Sequence, residues 1–105
     1  MFLKIKDIPT QEVLPGFTAR FVHSEKFTTA FWDIEAGSEL PEHSHFHEQT
    51  SQVVEGKLEF TLNGETKVLK SGDFVVIPSN VPHSGKALTY CKVVDVFCPV
   101  REEYR

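Results

Sequence analysis

Short runs of β-branched and aromatic residues, cut every few positions by Gly, Pro or Asn, fill this chain, and no stretch of about eleven residues or more carries a helical period. That punctuation leaves an all-β sandwich or barrel as the fold able to bury an apolar face. Strands are expected near Phe2–Ile5, Ala19–His23, Phe27–Ile34, Thr50–Glu55, Lys57–Leu62, Thr66–Leu69, Phe74–Ile77, His83–Ala87 and Cys91–Phe97. Turn signals lie at Ala36–Gly37, Asn63–Gly64 and Ser71–Gly72, and Asn63–Gly64 is the strongest hairpin cue. A two-residue turn there pairs Phe60 with Lys67 and Leu62 with Glu65, placing charge on an apolar face. A bulge at Gly64 instead pairs Phe60 with Val68 and Leu62 with Thr66, so the bulge is expected. Pro78 and Pro82 bracket a rigid loop that delivers His83 to the start of a strand.

The 105 residues, 40% hydrophobic and 25% charged, suit a single domain over 1–105 with one core. A net charge of −4 argues against a nucleic-acid partner, which calls for a basic surface. No apolar run is long enough to span a bilayer, and Met1–Pro9 carries no small-residue cleavage site, so no membrane partner is expected and cytoplasm is the default location. Cys91 and Cys98 are too few for a disulfide framework and read as buried free thiols. The nine phenylalanines suit either an aromatic-walled interior or a well-filled core.

Chemistry concentrates between Gly37 and Gly56, where His43, His45, His47 and Gln49 fall within seven residues. Side chains two apart on an extended chain share a face, so one ion can take His43 and His45 if a distant strand brings His83 alongside. Neutral imidazole is the commonest ligand for borderline transition metals. His47 shares that parity, while Glu48 has the opposite one. A second candidate is Asp95. On a strand it shares a face with Val93 and Phe97, so a carboxylate lies among apolar neighbours and needs a partner or a neutral form. It is either a structural partner of Arg101 or Lys92, or a general acid/base facing the metal.

The spacing Gly37, His43, His45, Gln49, Gly56 resembles the first motif of the cupin superfamily, with Gln49 where the family usually has glutamate. Gly72, Pro78, Asn80 and His83 resemble the second, with Asn80 in place of a glycine and Ala87 near where an asparagine is usual. The motifs cover about 37–56 and 72–87. The resemblance implies an RmlC-like jelly-roll barrel, a double-stranded β-helix, and one divalent transition metal (Ni, Zn, Mn or Fe) held by His43, His45, Gln49 and His83. The count to Gly56 favours Gln49 as ligand and leaves His47 behind the ligands or at the rim. Three imidazoles and an amide carry no charge, so the ion would keep its full field for substrate.

The run from Asp95 to Tyr104, with H-S-H-F-H-E-Q upstream, resembles the small pectin-degradation cupins that open 4,5-unsaturated galacturonate to the linear 5-keto-4-deoxyuronate. That resemblance implies Asp95 in catalysis, with Phe97 and Arg101 lining the site: Arg101 would fork onto the carboxylate of an anionic sugar acid, and Phe97 would pack on the sugar face. Glu103-Tyr104 stands where those proteins have Asp-Phe. Two other functions fit the residue types, an oxidative cupin of the metal-dependent dioxygenase type and a non-catalytic sugar- or effector-binding cupin. A homodimer is expected, through addition of a Phe2–Ile5 strand to a partner's sheet edge.

Overall fold

The computed structural model describes every residue from Met1 to Arg105 and is built almost wholly of antiparallel strands. In chain order they are β1 (Gln11–Leu14), β2 (Phe17–His23), β3 (Thr28–Ile34), β4 (Glu39–His43), β5 (Glu48–Glu55), β6 (Leu58–Leu62), β7 (Glu65–Leu69), β8 (Phe74–Ile77), β9 (His83–Ala87) and β10 (Cys91–Cys98). They form a six-stranded sheet of order β1-β2-β3-β10-β5-β8 and a four-stranded sheet of order β4-β9-β6-β7. Successive strands repeatedly change sheet, and the two sheets face each other as the expected jelly roll.

Period-two alternation makes the core. In β3, Thr28, Ala30, Trp32 and Ile34 are buried while their neighbours are only half-buried, and β10 buries Cys91, Val93, Asp95 and Phe97 in the same way. Phe17, Phe21, Val53, Leu58 and Phe60 complete the apolar cluster between the sheets. The glycine that ends the first motif has a steric reason. Gly56 turns the chain from β5 to β6 at φ +91°, and a Cβ there would lie 2.1 Å from the Tyr90 carbonyl oxygen.

Several expectations are corrected. Asn63 (φ 48°) and Gly64 (φ 84°) form a two-residue turn, so Phe60 pairs with Lys67 and Leu62 with Glu65, and there is no Gly64 bulge. The charges are tolerated because β7 is an edge strand on which only Leu69 is buried, leaving Lys67 and Glu65 in solvent. Phe2–Ile5 is not a strand. The chain instead makes a 3-10 turn at Ile5–Asp7, and none of the residues from Met1 to Asp7 is buried, so no apolar face holds them in a ladder. β1 and β4 are absent from the expected strands; β4 holds Pro41, which an edge strand accommodates because it needs no ladder donor on its open side. Cys98 is exposed, and only Cys91 is a buried thiol. No helix is long and apolar enough to cross a membrane.

Gly56→Ala should therefore lower stability by ~3 kcal/mol or more, because strain at positive φ adds to a backbone clash. Gly64→Ala, at φ +84° with nothing within 4 Å of the new Cβ, should lose only ~1 kcal/mol. Urea midpoints of the two variants against the parent check the contrast.

Candidate metal centre and cavity

His43 ends β4 and is paired in register with His83, which begins β9, so two histidines forty positions apart meet across one ladder. His45 lies on the loop between β4 and β5. Its backbone oxygen accepts from Asn80 N at 2.8 Å, while Ser79 Oγ donates to the carbonyl of Phe46. Those bonds tie the histidine loop to the Pro78–Pro82 loop, where Asn80 takes the left-handed backbone that a glycine would otherwise supply (φ 63°). The ring centroids of His43 and His83 are 4.3 Å apart, and those of His45 and His83 5.0 Å. One ligand nitrogen from each of the three lies within 4.8 Å of the others. Two donors ~2.1 Å from a common ion sit no more than ~4.2 Å apart, so small ring movements would let one ion take all three.

The tautomers suit that role. Nδ1 of His43 is 3.0 Å from the Pro41 carbonyl, Nδ1 of His45 is 3.0 Å from that of His47, and Nδ1 of His83 is 3.0 Å from that of Val81. A carbonyl accepts only, so each Nδ1 carries the proton and each Nε2 keeps a lone pair. Burial lowers the pKa of His45, and the nearby Arg101 guanidinium lowers it further. Burial also lowers that of His83, outweighing the Val81 carbonyl that favours the charged ring. Both imidazoles are therefore neutral near pH 7.

Gln49, on β5, completes the group. Its Oε1 lies 3.1 Å from His45 Nε2, and its Nε2 donates to Ser51 Oγ at 2.9 Å. An amide oxygen and an imidazole lone pair facing each other at that distance repel unless positive charge lies between them. The donor set fits a cation. His47 departs from the expected parity, because the chain leaves strand geometry between His43 and Glu48. Its ring is buried and donates from Nε2 to the Val100 carbonyl at 3.2 Å, and only its backbone oxygen serves the cluster.

Next to the cluster is a cavity of about 80 Å³, lined by His43, Gln49 and His83 together with Asp95, Phe97 and Arg101. Asp95 has neither Arg101 nor Lys92 as an ion-pair partner. Its Oδ2 accepts from Trp32 Nε1 at 3.0 Å, and its buried Oδ1 has no partner. Burial pushes its carboxyl up to about 6, against the opposing pull of Ser51, Trp32, Gln49 and Arg101. Arg101 is itself buried, with its guanidinium carbon 4.7 Å from the Phe97 ring centroid and 4.6 Å from that of Tyr104. Its Nε and Nη2 donate to Glu103, which keeps Nη1 and the second Nη2 proton for another acceptor. The tail reaches the cavity through Tyr104, which lines it and stacks on Phe21 at 4.4 Å.

Trp32, Ser51 and Tyr104 escape the reading by residue type. Ser51 shares the parity of Gln49, and a buried Trp N–H demands an acceptor, so two of the three had a signal. Tyr104 had none beyond its position in the tail.

Residues 30–97 match the family model for the Cupin domain. A quercetin 2,3-dioxygenase of Bacillus subtilis is 49% identical over 43 residues, which are 38% of this chain and only 13% of that protein. Among solved structures, an RmlC-like cupin from Shewanella frigidimarina superposes with a TM-score of 0.94 at 27% identity, over 99% of this chain and 95% of that one. KdgF from a Halomonas species does so at 0.94 and 29% identity, over 100% and 98%. The family match runs from β3 to β10 and takes in every imidazole of the cluster, and the chain belongs to the cupins.

Proposed function

We propose that this chain is a divalent-metal cupin that opens the ring of 4,5-unsaturated galacturonate to the linear 5-keto-4-deoxyuronate. The observation that carries this reading is Asp95: a buried carboxyl with one free oxygen, lining the same cavity as the imidazole cluster and a buried arginine. Similarity to KdgF along the whole chain supports it, as does the Asp95–Tyr104 run. A cation held by His43, His45, Gln49 and His83 would supply a positive field that stabilises negative charge on substrate oxygens.

The chain's own residues account for the rest. Arg101 binds the substrate carboxylate through the donors that Glu103 leaves free, and the Phe97 and Tyr104 rings fix its plane. Asp95 removes the proton of the anomeric hydroxyl. The C1 carbonyl then forms as the C1–O5 bond breaks, and the electron pair passes to O5 as the enolate of C5. Proton delivery to C4 by Asp95 leaves a ketone at C5. The balance is that of an isomerisation, with no co-reactant. A carboxyl near 6 both accepts and returns a proton at neutral pH.

A dioxygenase reading has its own support in the local identity to the quercetin enzyme and in the largely apolar inner wall formed by Trp32, Ile34, Leu58 and Phe60. One assay separates the two. Metal-loaded protein mixed with unsaturated galacturonate should consume the enol-ether absorbance without taking up oxygen. Asp95→Asn should fold, keep its metal and react ~10²-fold more slowly. Oxygen uptake with an aromatic diol, and inertness toward the uronate, would overturn the ring-opening reading.

The same carboxyl gives a pH signature in metal-free protein. Its folded value, about 6, lies above the ordinary 3.8, so its contribution to stability is complete below 3.8 and is lost as pH rises through 6. Relative to Asp95→Asn, the parent should lose on the order of 3 kcal/mol over that window. Denaturant melts at pH 3.5 and 7.5 measure it.

We also infer a homodimer, on grounds other than the lost N-terminal strand. The outer face of the six-stranded sheet carries an uncharged row, Val76, Thr50, Val96, Thr29 and Val22, across five strands, with Phe74 and Val54 exposed beside it. An uncharged row of this kind, with the charges of that face (Arg20, Asp33, Lys92 and Glu48) set off to its sides, suits a second copy of itself. Sedimentation should give a dimer at micromolar concentration and a monomer for Val76→Lys, and a parent that is only monomeric would refute it.

A further inference from the structure

Gln49 can turn its amide either way round, and only one way serves a cation. With Oε1 toward His45 it offers an oxygen to the cluster. Turned over, its NH2 would donate to the lone pair on His45 Nε2 and block that nitrogen. In metal-free protein the turned amide is the better local hydrogen bond, because an acceptor would then face a donor. Something must hold the amide against that preference.

Ser51 is placed to do so. Its Oγ accepts from Gln49 Nε2 at 2.9 Å, and it lies directly across the β5–β10 ladder from Asp95. Gln49, Ser51 and Asp95 are all buried, so no bulk water competes for these bonds. The Ser51 hydroxyl is among the groups that pull the Asp95 pKa down, so its proton leans toward that carboxylate, short of a full hydrogen bond, and its lone pairs face elsewhere. Ser51 can then only accept from Gln49, and the amide nitrogen must face it. We propose that Ser51 is a positioning residue that reads the polarity of Asp95 and fixes Gln49 with its oxygen toward the imidazoles. The inference rests on the reading of Gln49 as a ligand.

The test uses Co²⁺ alone as the probe, with affinity from chelator competition and geometry from visible absorption. Ser51→Ala should bind Co²⁺ 10–100-fold more weakly, the range typical of groups behind a ligand, and with altered bands. The distinguishing measurement repeats the change in a Gln49→Glu background. A carboxylate has no wrong way round, so there Ser51→Ala should shift affinity by less than ~3-fold. Equal losses in both backgrounds would mean ordinary packing and overturn the proposal, as would unchanged binding in Ser51→Ala alone. Gln49→Ala separates the two levels. If it binds Co²⁺ unchanged, Gln49 is no ligand and both ideas fall. If it weakens binding while Ser51→Ala is silent, only the positioning role falls. Should Ser51→Ala not fold, Ser51→Cys keeps the volume but offers a weak acceptor, and it should weaken Co²⁺ binding in the same background-dependent way.

Discussion

β10 is hydrogen-bonded on both sides, to β3 and to β5, and two residues of its inner face, Asp95 and Phe97, meet partners on β5 that belong to the site. Phe97 lies opposite Gln49, Asp95 opposite Ser51, and Val93 opposite Val53. A slip of one residue in either ladder would turn Asp95 and Phe97 to the outer face and bring Val94 and Val96 inward. The chain prevents this from both ends. Toward Cys91, Gly56 leaves room for the Tyr90 carbonyl at a distance no side chain would allow. Toward Cys98, the Arg101 backbone N–H donates to Thr28 Oγ1, which is also bonded to the His23 ring. The register of this central strand thus sets where the carboxyl sits relative to the imidazoles.

Burying so many polar groups in an apolar sandwich is tolerable only because nearly all are paired. An unsatisfied buried donor or acceptor costs about 1–3 kcal/mol. Of the buried polar side chains, His83, Gln49, Ser51 and Thr28 all have hydrogen-bond partners. Arg101 has Glu103 and two aromatic faces. The two orphan atoms are His47 Nδ1 and Asp95 Oδ1. They differ in setting. His47 stands outside the imidazole cluster, whereas the Asp95 carboxyl lines the cavity. An acceptor without a partner inside a cavity is a group that a ligand's donor can satisfy, which is why Asp95 reads as chemistry and His47 as scaffold.

Much of this was legible in the sequence, for a physical reason. Period two fixed the inward set of β10, and turn chemistry fixed the boundaries around Gly37, Gly56 and Gly72. What could not be read was context. The sequence pattern of β7 argues for a bulge, because placing Lys67 opposite Phe60 looks like buried charge. Only the position of β7 at an edge makes that register harmless. Pro41 hides β4 for the same kind of reason. Parity also over-reached at His47, where it assumes a strand that the chain abandons for four residues. The partner of Asp95 was missed because an ion pair was sought among cations, while a buried indole N–H supplied the bond.

Arg101 links these strands of argument. A buried guanidinium would ordinarily exclude a cation from its neighbourhood, and it does lower the pKa of both His45 and His83. Burial is the larger cause that keeps those imidazoles unprotonated, Arg101 adds to it, and an unprotonated imidazole is the form that ligates. Glu103 tempers the charge at one edge of the guanidinium without consuming all of its donors. Burial pushes the Asp95 carboxyl up, and Ser51, Trp32, Gln49 and, least of the four, Arg101 pull it back to about 6. One cation therefore biases two imidazoles toward the neutral form and the Asp95 carboxyl toward the charged one, and it keeps donors that Glu103 does not take. It does so from a tail that the strand pattern alone leaves without a role.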